Sequence, residues 1–176
     1  MNVQGLAAIV TGGASGLGEA TARKLASEGA KVAIFDMNVE AAQKVADEIG
    51  GIAVECNVSD AASAEAAFAS AREAHGPARI VVSCAGIAPA SKIVGRNGAH
   101  DLDLFSKVIN VNLVGTFNMT RLACADMLEL DPVNGEERGV VVNTASIAFA
   151  DGQIGQAAYA ASKGGVASLT LPVARE

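Results

Sequence analysis

The sequence predicts an α/β fold in which a parallel, doubly wound β-sheet carries helices on both faces. Short runs of valine, isoleucine and alanine, without alternating polar residues, recur along the chain. Such runs are typical of strands that are buried on both faces of a parallel sheet. Alanine-rich segments with helical spacing separate these runs. Because strands and helices alternate, we expect right-handed β–α–β units in one open sheet.

Five strands are expected, at residues 6–11, 31–36, 52–56, 79–83 and 139–144. Helices are expected at 16–28, 39–49 and 60–74, with a long fourth helix, whole or broken, at about 102–130 and a fifth that begins near Gln156. Gly29 and Gly50 suit the ends of the first two helices, and Asp60 suits the start of the third. No repeat or linker divides the chain, so residues 1–176 are predicted to form a single domain.

Two connections are longer than a crossover between strands requires, residues 88–101 and residues 131–139. Ligands of doubly wound sheets bind beyond the carboxyl ends of the strands. Residues 88–101 follow the fourth strand at that edge, so they are expected beside a ligand. Residues 131–139 lead into the fifth strand from the opposite edge, and we expect them to form plain surface.

Composition excludes several classes of function. The chain of 176 residues has a net charge of −6, whereas nucleic-acid binding favours a basic surface. No apolar run is long enough to cross a bilayer and no signal peptide is evident, so a cytoplasmic protein without membrane partners is expected. Cys56, Cys84 and Cys124 are widely spaced, which argues against a disulfide framework or a structural metal site.

The segment TGGASGLGEA, residues 11–20, lies between the first strand and the first helix. Gly12, Gly16 and Gly18 permit a tight turn and a close approach of backbone to a pyrophosphate, which the helix N-terminus also favours. A P-loop is excluded because no lysine stands at the position where that motif requires one. The segment therefore predicts dinucleotide binding by a Rossmann-type sheet, with strand order 3-2-1-4-5.

Asp36 ends the second strand, where a carboxylate can bind the adenosine ribose of a dinucleotide. A carboxylate there would repel a 2′-phosphate, and no arginine follows at position 37 or 38. These features favour NAD over NADP. The alternative is that Asp36 only caps the next helix.

Tyr159, the only tyrosine, precedes Lys163 by one helical turn, so both side chains share a helix face. A phenol loses its proton near pH ~10 in water, and a nearby ammonium favours the phenolate. Tyr159 is therefore a candidate acid and base for an alcohol substrate. Ser146 follows the fifth strand at the ligand-binding edge and can hold the substrate oxygen, unless it is only a turn residue.

Taken together, these motifs resemble the short-chain dehydrogenase/reductase family. The matching segments, in the family's order, are TGGASGLG (11–18), Asp36, CAGI (84–87), NVNLVGTF (110–117), NTASI (143–147) and YAASK (159–163). They extend over essentially the whole chain. Longer segments, among them SCAGIAPASK and GVVVNTASIAFADGQIGQAAYAASKGG, are similar to the type 2 3-hydroxyacyl-CoA dehydrogenase branch, which is 17β-hydroxysteroid dehydrogenase type 10-like.

The resemblance implies a role for each matching residue. Tyr159 would be the general acid/base, Lys163 would hold the nicotinamide ribose, and Ser146 would orient the substrate oxygen. Asn112 would hold a water in a proton relay through Lys163, or would only brace the neighbouring strand. The cofactor contacts implied are Ser15 and Leu17 to the phosphates, Asp36 to the adenosine ribose, and Cys84, Ala85 and Gly86 on the nicotinamide side.

Two positions depart from the family pattern. Ser83 stands where the family usually has an asparagine, which predicts a weaker brace on the sheet. Asn57 stands where the family usually has an aspartate that accepts a bond from the adenine amino group. The amide oxygen of Asn57 can accept the same bond, so Asn57 and Val58 are retained as predicted adenine contacts.

The resembling enzymes continue beyond the point that matches Glu176, with further strands and a segment that covers the substrate. We therefore expect this chain to be a fragment of a longer enzyme, in which residues 139–144 form an exposed apolar edge unless a partner covers it. Family members commonly pair through the long fourth and the fifth helix, so a homo-oligomer is expected.

The activity that the resemblance implies is NAD-dependent interconversion of a secondary alcohol and a ketone, with 3-hydroxyacyl-CoA and 3-oxoacyl-CoA as the leading substrate pair. A steroid or another hydrophobic alcohol is the alternative substrate. A nucleotide-binding fragment without activity is the alternative from another class of function.

Overall fold

The computed structural model describes residues 1–96, 98–133 and 135–176. Seven strands form in this part of the chain: β1 (Ala7–Thr11), β2 (Lys31–Asp36), β3 (Ile52–Glu55), β4 (Ile80–Ser83), β5 (Val94–Gly95), β6 (Gly98–Ala99) and β7 (Val140–Asn143). Five of them pair in parallel in the order β3-β2-β1-β4-β7. This order confirms the predicted sheet, because β7 is its fifth strand along the chain. The short strands β5 and β6 pair with each other as a hairpin that the sequence did not predict.

Six α-helices accompany the strands in the described residues: α1 (Gly16–Ser27), α2 (Val39–Ile49), α3 (Ala61–His75), α4 (Leu102–Ile109), α5 (Gly115–Leu128) and α6 (Ala157–Arg175). The Asp60 side chain accepts a bond from Ser63 N, so it caps α3 as predicted. Gly50 ends α2 with a left-handed backbone at φ 66°, a conformation that glycine adopts without strain.

The expected long helix is continuous, with a π-helical turn, Asn110–Val114, between α4 and α5. Gly115 N donates to Asn110 O across this turn. A π turn inserts one extra residue into the helical spiral and is often found at functional sites. Here it brings Asn112 to the buried side of the helix.

Both faces of the sheet are covered over its central strands, β1, β2 and β4. Ile9, Phe35 and Val81 pack against α3 and α5 on one face, and Val10, Ile34 and Val82 pack against α1 and α2 on the other. Consecutive residues of each strand point to opposite faces, so uninterrupted apolar runs supply both cores. The rings of Phe35 and Phe68 meet edge to face, with centroids 5.6 Å apart.

The two outer strands differ from the prediction of burial on both faces. All four residues of β3 are only half-buried or exposed, and Val140 and Val142 of β7 are 39% and 48% exposed. The prediction of burial on both faces was wrong for these strands. Val140 and Val142 pair in register with Ile80 and Val82, so they point to the face on which α1 and α2 pack, and their exposure shows that these helices do not extend over β7. As expected, β7 presents an apolar edge in the described structure.

Residues 131–133 and 135–139 form surface structure, as predicted for this connection; Asn134 lies outside the described residues. The Arg79 guanidinium fastens the segment by donating to Asp131 O at 3.0 Å and to Arg138 O at 2.8 Å. In the part of the chain that the structure describes, no helix combines the length and apolar character needed to cross a membrane.

Candidate active site

A cleft of about 460 Å³ opens at the carboxyl ends of β1, β2, β3 and β4. The residues that the sequence predicted as cofactor contacts line it together, with the exception of Tyr159 and Lys163. The lining comprises Gly12, Ser15, Gly16, Leu17, Gly18, Phe35, Asp36, Met37, Cys56, Asn57, Val58, Cys84, Ala85, Gly86, Ile87 and Val111. The topology accounts for this, because parallel strands end at one edge of the sheet.

At Gly12 and Gly18 the glycine loop packs so closely that no side chain would fit. A Cβ atom at Gly12 would lie 2.8 Å from Ala85 N, and the backbone there has φ 65°. A Cβ atom at Gly18 would meet Gly12 O and would lie 2.7 Å from Gly12 C. Ser15 occupies the N-cap position of α1, but its side chain makes no capping bond. The hydroxyl and the first N–H groups of α1 are therefore available to an anion in the cleft.

Asp36 is half-buried at the far end of the cleft from α6. Its Oδ2 accepts a bond from Ala14 N at 3.1 Å, and its Oδ1 accepts one from Asn38 N at 2.9 Å. Asn38 caps α2 through a bond from Ala41 N, so the alternative interpretation of Asp36 as the helix cap is wrong. Because each carboxylate oxygen can accept more than one bond, Asp36 keeps acceptor capacity toward the cleft.

Asn57 and Val58 lie where β3 enters the cleft. Asn57 Oδ1 accepts bonds from Ser59 N at 3.2 Å and Ser59 Oγ at 2.8 Å. An adenine amino group would therefore compete with Ser59 for this oxygen. Val58 is buried, and its carbonyl accepts a bond from Asn118 Nδ2 at 2.9 Å.

Thr11, a buried residue that the sequence analysis did not single out, holds the end of β4 beside the glycine loop. Its Oγ1 accepts bonds from Cys84 N and Ala85 N, both at 3.1 Å. The only sequence signal for this role is its position at the end of β1, directly before the glycines. The neighbouring Ser83 Oγ is buried and has no hydrogen-bond partner within the described residues, which agrees with the predicted weaker brace at that position.

Asn112 is fully buried on the π turn and is hydrogen-bonded through its entire amide. Its Oδ1 accepts a bond from Ile87 N, and its Nδ2 donates to Ile87 O, both at 2.8 Å. The same Nδ2 donates to Ser162 Oγ at 3.1 Å. These bonds correspond to the bracing alternative for Asn112, and its predicted role with a water remains a prediction.

Tyr159 and Lys163 lie on one face of α6. Lys163 Nζ is 5.8 Å from the centroid of the Tyr159 ring and donates to Thr144 O at 2.6 Å. Lys163 is only 5% exposed, and this burial lowers the pKa of its ammonium, while Cys84 acts in the opposite direction. Tyr159 is half-buried, and its hydroxyl has no hydrogen-bond partner within the described part of the chain.

Ser146 begins a short 3₁₀ turn, Ile147–Phe149, beyond the carboxyl end of β7. Its Oγ accepts a bond from Ala148 N at 3.2 Å. This bond leaves the hydroxyl proton available to a ligand. Ser146 thus serves as a turn residue and also keeps a donor, so the two interpretations of this serine are compatible.

A second hollow, of about 410 Å³, lies between the β5–β6 hairpin and residues 152–157. Ser91 N donates to Gly155 O at 2.9 Å and ties its two walls together. Ile93, Val94 and Ile154 border the hollow with exposures of 64%, 71% and 84%. Ala160, the neighbour of Tyr159, also lines it, so the long connection after β4 lies on the side of the candidate acid/base. Asn97, in the same connection, lies outside the described residues.

Comparison with known proteins gives concordant results. Residues 6–176 match the family described as short chain dehydrogenase. The chain is 45% identical to 3-hydroxyacyl-CoA dehydrogenase type-2 of Rattus norvegicus over 179 residues, which is 99% of this chain and 69% of the relative. It is 39% identical to 2-dehydro-3-deoxy-L-rhamnonate dehydrogenase (NAD(+)) of a Sphingomonas strain, over 98% of this chain and 66% of that protein.

The same similarity is found in three dimensions. The crystal structure of 3-hydroxyacyl-CoA dehydrogenase type-2 from Mycobacterium avium superimposes with a TM-score of 0.91 at 44% sequence identity. The match covers 97% of this chain and 67% of that structure.

Proposed function

The chain belongs to the short-chain dehydrogenase/reductase family, whose members are oxidoreductases of CH–OH groups, and on this premise we propose that it interconverts 3-hydroxyacyl-CoA and 3-oxoacyl-CoA with NAD. The observation that carries the proposal is the placement of Tyr159 and Lys163 on one face of α6, with Nζ 5.8 Å from the phenol ring. The dinucleotide cleft ends beside this pair, because Cys84 and Gly86 line the cleft and neighbour Lys163.

When bound, NAD supplies the carbon that accepts or donates the hydride. The residues of this chain handle the proton and the geometry. Tyr159 removes the hydroxyl proton of the alcohol as the hydride leaves, and returns it when a ketone is reduced. Lys163 contributes positive charge that favours the phenolate. Ser146 donates a hydrogen bond to the substrate oxygen and holds it beside the phenol.

NAD is proposed over NADP because of the charge at Asp36. Two backbone N–H groups hold its carboxylate in place, where it can accept bonds from ribose hydroxyls and repel a 2′-phosphate. Met37 and Asn38 follow it, so no arginine is available there to bind that phosphate. The Sphingomonas relative, whose name specifies NAD(+), supports the same choice.

The choice of substrate is supported by two relatives named as 3-hydroxyacyl-CoA dehydrogenases and by the second hollow. Its exposed Ile93, Val94 and Ile154 suit the apolar body of a substrate whose hydroxyl lies at Tyr159. The same apolar border favours a steroid or another hydrophobic alcohol as the second candidate. We also propose that copies of the chain pair through α4, α5 and α6, where Phe117 and Leu128 are 50% and 67% exposed.

The assay is NADH formation from 3-hydroxybutyryl-CoA, with a hydroxysteroid and with NADP in parallel arms. Tyr159→Phe should lower turnover by ~10²–10⁴-fold and leave NADH binding intact, since the cleft residues are unchanged. Near-normal turnover in Tyr159→Phe would contradict the assigned acid/base. NADH binding without turnover of either substrate would favour the nucleotide-binding alternative.

A further inference from the structure

We infer that Ser162 is a positioning residue for Tyr159, through a buried hydrogen-bonded chain that links the end of β4 to the catalytic helix. This inference rests on the proposed function of Tyr159. The chain begins at Ile87, passes through Asn112 and Ser162, and ends on the carbonyl oxygen of Tyr159. Each bond in it is between 2.7 and 3.1 Å long.

Ser162 and Lys163 are the two polar residues that are buried on α6, and Lys163 faces the Tyr159 ring. The neighbours of Ser162 in the first turns are alanines at positions 157, 158, 160 and 161, and Ser162 itself is 0% exposed. Alanine is the better helix former, and a buried hydroxyl is unfavourable unless it is hydrogen-bonded. A serine at this site is therefore accounted for by its bonds rather than by helix propensity or packing.

The two bonds of Ser162 point in different directions. Its hydroxyl donates to Tyr159 O within α6 at 2.7 Å, and its oxygen accepts from Asn112 Nδ2 on the π turn at 3.1 Å. The first bond alone would be an ordinary back-bond of a helical serine. The second joins α6 to the π turn, and Asn112 is in turn fixed to both backbone groups of Ile87.

The helix α6 and the π turn lie close enough for the bond between Ser162 and Asn112 to fix the position of α6. A Cβ atom at Gly165 would lie 2.6 Å from the Leu113 side chain, so α6 packs directly on the π turn. Ile87 follows Gly86 and lines the cleft with it. The chain of bonds therefore connects the Tyr159 backbone to Ile87, in the cleft wall on the predicted nicotinamide side. It fixes the distance between the phenol-bearing helix and that wall.

Ser162→Ala removes the hydroxyl and leaves one Asn112 N–H without an acceptor. The resulting freedom of α6 should lower kcat by roughly tenfold or more, because small displacements of a catalytic group are costly. The KM for NAD should change less than kcat, since the glycine loop and Asp36 bind the other end of the cofactor and only its nicotinamide side is expected to reach α6. Ser162→Thr keeps the hydroxyl and should restore most of the turnover.

The matched control is Thr170→Val on the same helix. Thr170 Oγ1 donates only to Val166 O, at 3.0 Å, so this variant removes a back-bond without removing a link between elements. It should retain the kcat of the unaltered protein. An equal loss of kcat in Thr170→Val and Ser162→Ala would overturn the inference, as would an unchanged kcat in Ser162→Ala.

A spectroscopic measurement separates the inference from the proposed activity. The chain contains one tyrosine and no tryptophan, so its tyrosine fluorescence reports Tyr159 alone. The ring is half-buried and Lys163 Nζ lies 5.8 Å from its centroid, so a displaced ring should be quenched by acrylamide to a different extent. We expect stronger quenching in Ser162→Ala and unchanged quenching in Thr170→Val.

The outcomes of the two measurements are distinguishable. Stronger quenching in a protein that forms no NADH would refute the proposed activity and support the positioning role. Unchanged quenching with full turnover would refute the positioning role alone. If Ser162→Ala does not fold, Ser162→Cys replaces it, because cysteine has a similar size but its thiol is only a weak donor and a weak acceptor. Both bonds of Ser162 are then weakened, so full turnover in that variant would overturn the inference.

Discussion

The two ends of the cleft keep their shape by different means. At the nucleotide end, which comprises residues 11–18 and Asp36, backbone packs on backbone, as where Gly18 meets Gly12. At the catalytic end, which comprises Asn112, Tyr159, Ser162 and Lys163, buried polar side chains hold the elements together. The first kind of contact demands glycine at fixed spacing, whereas the second demands partners that are far apart in sequence.

The nucleotide end should be the more sensitive to added volume. Gly18→Ala places a methyl group against the backbone of Gly12 and Gly13, and a backbone cannot rotate away as a side chain can. We expect a loss of unfolding free energy of about 3 kcal/mol, at the upper end of typical overpacking costs, together with weakened NADH binding. Urea unfolding and NADH titration measure the two effects.

Gly95→Ala is the control for this substitution. A Cβ atom at Gly95 would meet no atom within 4 Å, so stability and NADH binding should be unaffected. If Gly18→Ala were as stable as Gly95→Ala and bound NADH normally, the contrast between the two ends of the cleft would be lost.

The catalytic end should be sensitive to lost hydrogen bonds instead. Asn112→Ala leaves the N–H and the carbonyl of Ile87 without their partner in a buried setting. Because each buried polar group left unpaired costs about 1–3 kcal/mol, and water can satisfy part of this need, we expect a loss of about 2 kcal/mol in urea unfolding. NADH binding should weaken less than in Gly18→Ala.

Asn110→Ala tests whether the effect belongs to the buried amide or to the π turn as a whole. Asn110 lies on the same turn, but its side chain is exposed. The variant should therefore unfold at the urea concentration of the unaltered protein. A comparable loss in both variants would mean that the turn, and not the bonds of Asn112, determines stability here.

The same contrast explains what the sequence could predict. The strands, the glycine loop and the position of Asp36 were predictable because local patterns of apolar runs, glycines and an acid indicate them. The strand order followed from the topology of the nucleotide-binding sheet that these patterns indicate. Tyr159 and Lys163 were predictable because one helical turn separates them. Thr11 and Ser162 were not, since their partners Cys84 and Asn112 are distant in sequence and neither residue type is distinctive.

The exposure of the edge strands was predicted in part. The run GVVVNT has the composition of a central strand, yet the predicted strand order places it at the edge of the sheet, as observed. The exposure of β3 was not expected, since residues 52–56 have the composition of a buried strand. The π turn between α4 and α5 was likewise not predictable from the sequence, because NVNLVGTF continues an ordinary helical periodicity of apolar residues.

The smallest expected effect distinguishes the two ends by the pH dependence of stability. Burial raises the pKa of Cys56, beside the nucleotide end, to about 11 from 9.0. In the alkaline range between these two pKa values the thiol of the unfolded chain loses its proton before that of the folded protein. Cys56 therefore makes the free energy of unfolding fall as pH rises.

Lys163, at the catalytic end, acts in the opposite direction. Burial lowers the pKa of Lys163 below 10.5. In the unfolded chain Lys163 keeps its proton to higher pH than in the folded protein. Lys163 therefore makes the free energy of unfolding rise with pH, until pH exceeds 10.5.

These opposite slopes should partly cancel in the unaltered protein, and Cys56→Ala should expose the rising contribution of Lys163. Urea unfolding at a series of pH values from 8 to 10.5 measures the slope, with Cys124→Ala as the control. Burial also raises the pKa of Cys124, but that thiol is only half-buried, so its removal should change the slope less. A flat dependence of stability on pH in Cys56→Ala, with no rise, would show that the burial of Lys163 costs nothing in its charged form. The ammonium would then be satisfied by its bond to Thr144 O and its approach to the Tyr159 ring.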